Sequence, residues 1–149
     1  MTEKVCTDQH YPKGDWVKAT MMLTVAGTSY RETAVDDFVK KARAAEELGL
    51  KYTLELEREP TNKHDPNAIK IIGVSEHKSF LGSLKSTSWH IGYVDAQTAA
   101  EFTAEFIKQG VKISVVLYAI YLNPPYTDVN YMLLAPPGNS FSARQKRSR

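Results

Sequence analysis

Residues able to do chemistry are sparse in this chain and concentrate in one short stretch. His64 and Asp65 form an adjacent histidine–acid pair, with Asn62 just before them and His90 further on. Together they could be imagined around a metal ion. Their spacing, however, reproduces neither a helical His-Glu-x-x-His pair nor a Cys-x-x-Cys pair. A turn aspartate beside an exposed histidine is the simpler reading. Cys6 is the only cysteine, so neither an internal disulfide nor a cysteine-rich zinc site can form. It has no obvious base beside it and reads as an ordinary free thiol. No glycine-rich phosphate loop precedes a helix, which argues against nucleotide hydrolysis. These residues therefore point to no catalytic set, no metal and no cofactor.

Charge points instead to phosphate. The formal net charge is +2, but Arg144, Lys146, Arg147 and Arg149 all lie in the last six residues. Without them the chain holds 15 basic against 17 acidic residues, a net of −2. Affinity for a polyanion must then come from a local patch, from this tail, or from both. Four tail cations would give a salt slope of about −3 on single-stranded nucleic acid. The competing reading is a solubilising end.

The elements that must position these residues follow from patterning. Residues 1–15 are polar and read as a flexible leader, without the apolar stretch of a secretory signal; no apolar run reaches membrane-spanning length, and a cytoplasmic location is expected. Val17, Ala19, Met21, Leu23 and Val25 alternate with Lys18, Thr20, Met22 and Thr24, which predicts a half-buried strand. Thr33 can cap a helix whose Val35, Phe38, Val39, Ala42 and Ala45 share a face, with Gly49 at its end. Tyr52–Glu57 and Ala68–Val74 read as strands around a Pro/Asn/Asp-rich turn. Residues 75–88 read as a long mobile connection. A short strand spans Trp89–Val94. Asp95 can cap a second helix with Ala99, Phe102 and Phe106 on one face, closed by Gly110. Val111–Leu122 and Val129–Ala135 complete the pattern, giving six strands and two helices in the order β-α-β-β-β-α-β-β. That composition is mainly β (α+β) and suits a barrel or half-barrel over residues 16–137. Residues 138–149 read as a basic disordered tail.

Three segments carry a resemblance. They are Val25-Ala26-Gly27-Thr28-Ser29-Tyr30-Arg31, the run from Leu56 to Ile71 (LEREPTNKHDPNAIKI), and His90-Ile91-Gly92-Tyr93-Val94. In this order they resemble the HIRAN domain family, over roughly residues 17–135. The resemblance implies an OB-like six-stranded β-barrel with two helices. Members occur fused to SWI/SNF-type helicases in DNA damage tolerance and as stand-alone bacterial and phage proteins. The best understood members capture the free 3′ end of single-stranded DNA. The implied partners are single-stranded DNA or DNA ends, beside a helicase or nuclease, in repair, replication or mobile-element biology. The ATP hydrolysis of the fused helicases lies outside the domain.

The same resemblance nominates site residues. Tyr30 is placed to stack on a base, or else is a rim tyrosine. Arg31 is placed to meet phosphate, or else is an exposed strand-end arginine without a functional contact. It stands in for the arginine that end-binding members carry before the aromatic, where this chain has Ser29; if residues 29–31 continue the strand, the two share a face. Asp65 falls where the family places an acid for the terminal hydroxyl, and equally suits bracing its own turn. Asn62 has the same two readings. His64 replaces an aromatic and stacks more weakly. Tyr93, beside Gly92, could contact base or backbone, or simply pack. Lys78, Lys85, Arg144, Lys146 and Arg147 could add phosphate contacts, although for Lys78 and Lys85 a solvated loop is the simpler reading. A different class of role, a protein-interaction or inhibitor module without DNA binding, fits the slightly acidic body.

Overall fold

The computed structural model describes residues 2–148. The chain is mainly β, with eight strands in two sheets and three helices.

The first sheet is built around the hairpin of β7 (Ser114–Asn123) and β8 (Tyr126–Ala135). β1 (Glu3–Val5) pairs with the outer edge of β7. β2 (Val17–Lys18) and β3 (Leu23–Thr24) pair with successive stretches of β8. Covered on both edges, β8 is buried from Val129 to Ala135. The continuous strand expected over 17–25 is therefore broken in two. The Thr20 hydroxyl accepts the Leu133 amide at 3.1 Å, a bond that a ladder carbonyl would otherwise make. Met21 and Met22 swing outward there and are exposed.

The second sheet is β4 (Tyr52–Arg58), β5 (Ile69–Lys78) and β6 (Leu84–Tyr93), antiparallel throughout. Its register shifts once: Ile71 opposes Gly92 and Ile72 opposes His90, leaving Ile91 as the extra residue of a bulge. The expected mobile connection over 75–88 is instead the far half of this β5–β6 hairpin. Serine and lysine disguise it, because main-chain bonds rather than apolar alternation hold a two-stranded ribbon. One seam between the sheets is the Ala26–Tyr93 bridge; at another, β4 lies against β7 without a ladder. Among the described residues the strands do not close into a barrel, and they number eight rather than six.

Helix α1 (Glu32–Leu48) packs on the second sheet. Its buried residues are Val35, Phe38, Val39, Ala42 and Ala45, the face that periodicity predicts. Phe38 lies flat over Gly73, where an added Cβ would come within 2.6 Å of its ring. The helix begins at Glu32, with Arg31 rather than Thr33 in the cap position. Helix α2 (Ala96–Glu105) has its expected cap: the Asp95 carboxylate accepts from Thr98 N at 3.0 Å and Thr98 Oγ1 at 2.9 Å. A third helix, α3 (Phe141–Arg147), occupies the segment whose composition reads as disordered. The leader likewise contributes β1 and the buried Cys6. No helix among the described residues is long and apolar enough to cross a membrane.

Candidate nucleic-acid interface

The turn between β4 and β5 is organised by Asn62. Its Oδ1 accepts the amides of His64 (2.9 Å) and Asp65 (3.0 Å), and its Nδ2 donates to Glu59 Oε1 at 2.5 Å. Asp65 Oδ1 accepts the Asn67 amide at 2.9 Å, and Glu59 N donates to Ala68 O at 2.9 Å to close the loop. Asn62 and Asp65 thus both brace the turn. The His64 side chain is exposed.

Glu59 is the centre that sequence reasoning missed. Besides Asn62, its carboxylate accepts the Tyr93 hydroxyl at 3.0 Å and pairs with Lys70 Nζ at 3.1 Å. The Asn62 bond first, then Lys70, hold its carboxyl below the usual carboxylate range. Lys70 also pairs with Glu57 at 3.2 Å, and the two glutamates push its ammonium upward. Glu59 and Lys70 both stand inside the second motif segment. Their partnership depends on the β4–β5 register, in which Glu57 opposes Lys70.

Tyr93 ties the three segments together. Its backbone exchanges two hydrogen bonds with Ala26, at 2.8 and 2.9 Å. Gly92 permits this approach, since a Cβ there would lie 2.4 Å from Ala26 O. The Arg31 guanidinium carbon sits 5.9 Å from the Tyr93 ring centroid, within cation–π range. The His90 ring meets the Tyr93 ring edge-on at 4.9 Å, and its Nε2 lies 2.9 Å from Gly92 O. Burial first, then the Arg31 charge, hold the His90 imidazole below its ordinary value. Arg31, Asn62, Glu59, Lys70, His90 and Tyr93 form one connected cluster.

The other nominated residues stand apart from it in differing degrees. Tyr30 is 91 % exposed, on a 3₁₀ turn over Thr28–Tyr30. Because this is a turn and not a strand, the expected strand parity of Ser29 and Arg31 does not apply; Arg31 reaches Tyr93 by a different path. Tyr30 and Arg31 border a shallow depression with Ser29, Glu32, Thr33 and Ala34, and Asp65 is not among its walls. Lys78 lies eight residues along β5 from Lys70, about 26 Å at the usual strand rise. Lys85 opposes His77 near the same hairpin end.

Arg144 is committed elsewhere. Its guanidinium bonds both carboxylate oxygens of Glu105 (2.8–3.1 Å), donates to Ala19 O, and stacks 4.5 Å from the Phe102 ring centroid. Its side chain is only 12 % exposed, and these contacts anchor α3. Arg147 bonds Glu105 at 3.2 Å and Asn139 at 3.0 Å. Lys146 is exposed, with no ion pair among the described residues. Arg149 lies outside them.

The surface of this mainly-β domain thus carries a connected cluster in which Arg31 and His90 meet the Tyr93 ring. The chain belongs to the HIRAN domain family, whose model matches residues 19–130, about three-quarters of its length. The match contains all three motif segments and ends before α3. HIRAN domains are DNA-binding modules that are not catalytic by themselves, which supports a nucleic-acid-binding role for this chain. No curated protein and no solved structure matches it.

Proposed function

We propose that the chain binds single-stranded DNA at its 3′ end, on the surface where the three segments meet. The observation that carries this reading is Tyr93, whose backbone joins Ala26, whose ring faces Arg31 and whose hydroxyl reaches Glu59. Segments far apart in sequence, and together diagnostic of a DNA-binding family, are thereby knit into one rim. Tyr30 supplies an unobstructed stacking face, worth about 1–3 kcal/mol per base. Arg31 meets phosphate. It has no carboxylate partner among the described residues, whereas Lys70 is largely neutralised by Glu57 and Glu59. Asp65 accepts the terminal hydroxyl through the oxygen that its turn does not use, and its charge repels a terminal phosphate. The two sheets are read as an opened OB-like barrel. DNA is held and not transformed, leaving the chemistry to a separate helicase or nuclease.

Fluorescence anisotropy with strands ending in 3′-hydroxyl or 3′-phosphate tests this. The hydroxyl end should bind tighter, Tyr30→Ala and Arg31→Ala should each weaken binding about tenfold, and Asp65→Ala should erase the preference for the end. Equal, salt-sensitive binding of both ends, untouched by Asp65→Ala, would reduce the interaction to non-specific electrostatics. A stoichiometric protein partner that survives nuclease treatment, with no DNA bound at moderate salt, would replace it by a protein-interaction role.

A further inference from the structure

The β5–β6 hairpin ends in a feature that the fold does not use. Phe80, Leu81 and Leu84 are 102 %, 88 % and 55 % exposed and belong to no core cluster. The turn that carries them is nonetheless tightly closed. Ser79 N donates to Ser83 O at 2.7 Å, Gly82 N donates to Ser79 O at 2.9 Å, and the two serine hydroxyls lie 2.7 Å apart. Gly82, at φ +83°, completes a three-residue hairpin loop with a left-handed last position. An apolar tip on a closed turn is presented outward, not collapsed.

Charge narrows what it meets. Lys78 opposes Leu84 and Lys85 opposes His77, so the two lysines fall on opposite faces of the ribbon and flank the tip. The nearest acid is Glu76, one of whose carboxylate oxygens accepts the Lys51 amide at 2.8 Å. The face that carries Lys78 also carries Lys70, because β5 alternates and its odd positions from Ile69 to Ser75 are buried. Along that face β6 contributes Tyr93, His90, Ser88, Ser86 and Leu84, with no acid. β4, on the other side of β5, contributes Glu55 and Glu57. On β5 itself this face carries one acid, Glu76, between Lys70 and Lys78; a polyanion leaving the Tyr93 rim is therefore repelled most on the β4 side, and its more favourable course toward the tip follows the acid-free β6 strand.

We infer that the hairpin tip is a second base-contacting station, in which Phe80 and Leu81 stack on nucleobases of a strand whose end is held at the Tyr30–Tyr93 rim, while Lys78 and Lys85 meet its phosphates. This inference rests on the proposed function. The separation of about 26 Å corresponds to about eight nucleotides of stacked strand at ~3.4 Å each. Aromatic faces plus tracking cations are the general means of holding single strands without sequence preference.

The test compares 3′-hydroxyl oligodeoxythymidylates short enough to fill only the rim (four nucleotides) with ones that reach the tip (fourteen nucleotides). In the expected result, Phe80→Ser/Leu81→Ser weakens the long strand at least about fivefold, the lower bound for losing one stacked base, and leaves the short one unchanged. Lys78→Gln/Lys85→Gln lowers the salt slope of the long strand by about 1.4. Arg31→Ala weakens both lengths. Long-strand affinity and salt slope that both variants leave intact, with Arg31→Ala still effective, would overturn the second station alone. Wild-type protein that binds neither length would overturn the rim and the station together. Binding to phosphatidylserine vesicles that the tip variant abolishes, with DNA affinity unmoved, would reassign the tip to a lipid surface. Lys78, Phe80, Leu81 and Lys85 are all exposed, and an unchanged melting temperature confirms that the tip variant is folded.

Discussion

Gly92→Ala should loosen the junction between the first and third motif segments without removing any side chain of the proposed interface. The added Cβ would lie 2.4 Å from Ala26 O and 2.5 Å from Val25 Cγ1, a backbone atom and a buried side chain. Neither can swing aside, so the strands must part by most of an ångström. Overpacking of this kind costs about 1–3 kcal/mol. The two Ala26–Tyr93 hydrogen bonds, now 2.8 and 2.9 Å, would stretch, and each is worth about 0.5–1.5 kcal/mol net. The terms overlap because parting relieves the clash, so the total should be ~2–4 kcal/mol. For a domain of this size that lowers the melting temperature by on the order of 10 °C. Thermal denaturation followed by circular dichroism measures the loss, and hydrogen exchange should show faster opening at the Ala26 and Tyr93 amides. A variant melting within about 1 °C of wild type, with both amides still protected, would refute the claim that glycine is required there.

Arg144→Ala should destabilise the protein by about 2–3 kcal/mol in urea titrations, through loss of a largely buried, bidentate ion pair and its stacking on Phe102. It should leave the salt slope for DNA unchanged; a shallower slope at undiminished stability would return Arg144 to the interface. His90 should titrate below about 6.5 by NMR, and Arg31→Ala should move it up. Because the folded imidazole binds protons less readily than the unfolded one, its contribution to stability is complete above about pH 6.5 and is lost as pH falls through the folded value. A His90 titration indifferent to Arg31→Ala would separate the two groups. Burial pushes the Cys6 thiol up to about 12, so native protein should resist iodoacetamide at neutral pH and react only on unfolding. Rapid native labelling would contradict the packing of the leader.

What the sequence revealed was local. The α1 face, its Gly49 terminus and the Asp95 cap follow from periodicity and capping rules that need no tertiary partner. The elements it hid depend on partners distant in the chain. Glu3–Val5 is a strand because β7 offers an edge, and Phe141–Arg147 is a helix because Glu105, Ala19 and Phe102 receive Arg144. The break at Thr20 arises from a hydroxyl that finds Leu133 across the sheet. The site divides in the same way. Asn62, Asp65, Arg31 and Tyr93 are visible as motif members. Glu59 and Lys70, within the same motif, acquire meaning only through cross-strand register. The contacts centred on Tyr93, which join the segments, become visible only in the fold.

The first sheet also has a defended border. Its apolar strand β7, with Ile120 and Leu122, would present a row of open amides and carbonyls to any passing chain if it stood outermost. The three-residue β1 covers that row from Ile120 to Leu122 and puts Glu3 and Lys4 at the boundary. A brief charged selvedge is a poor template for further strand addition, so it discourages copies from zipping together at high concentration.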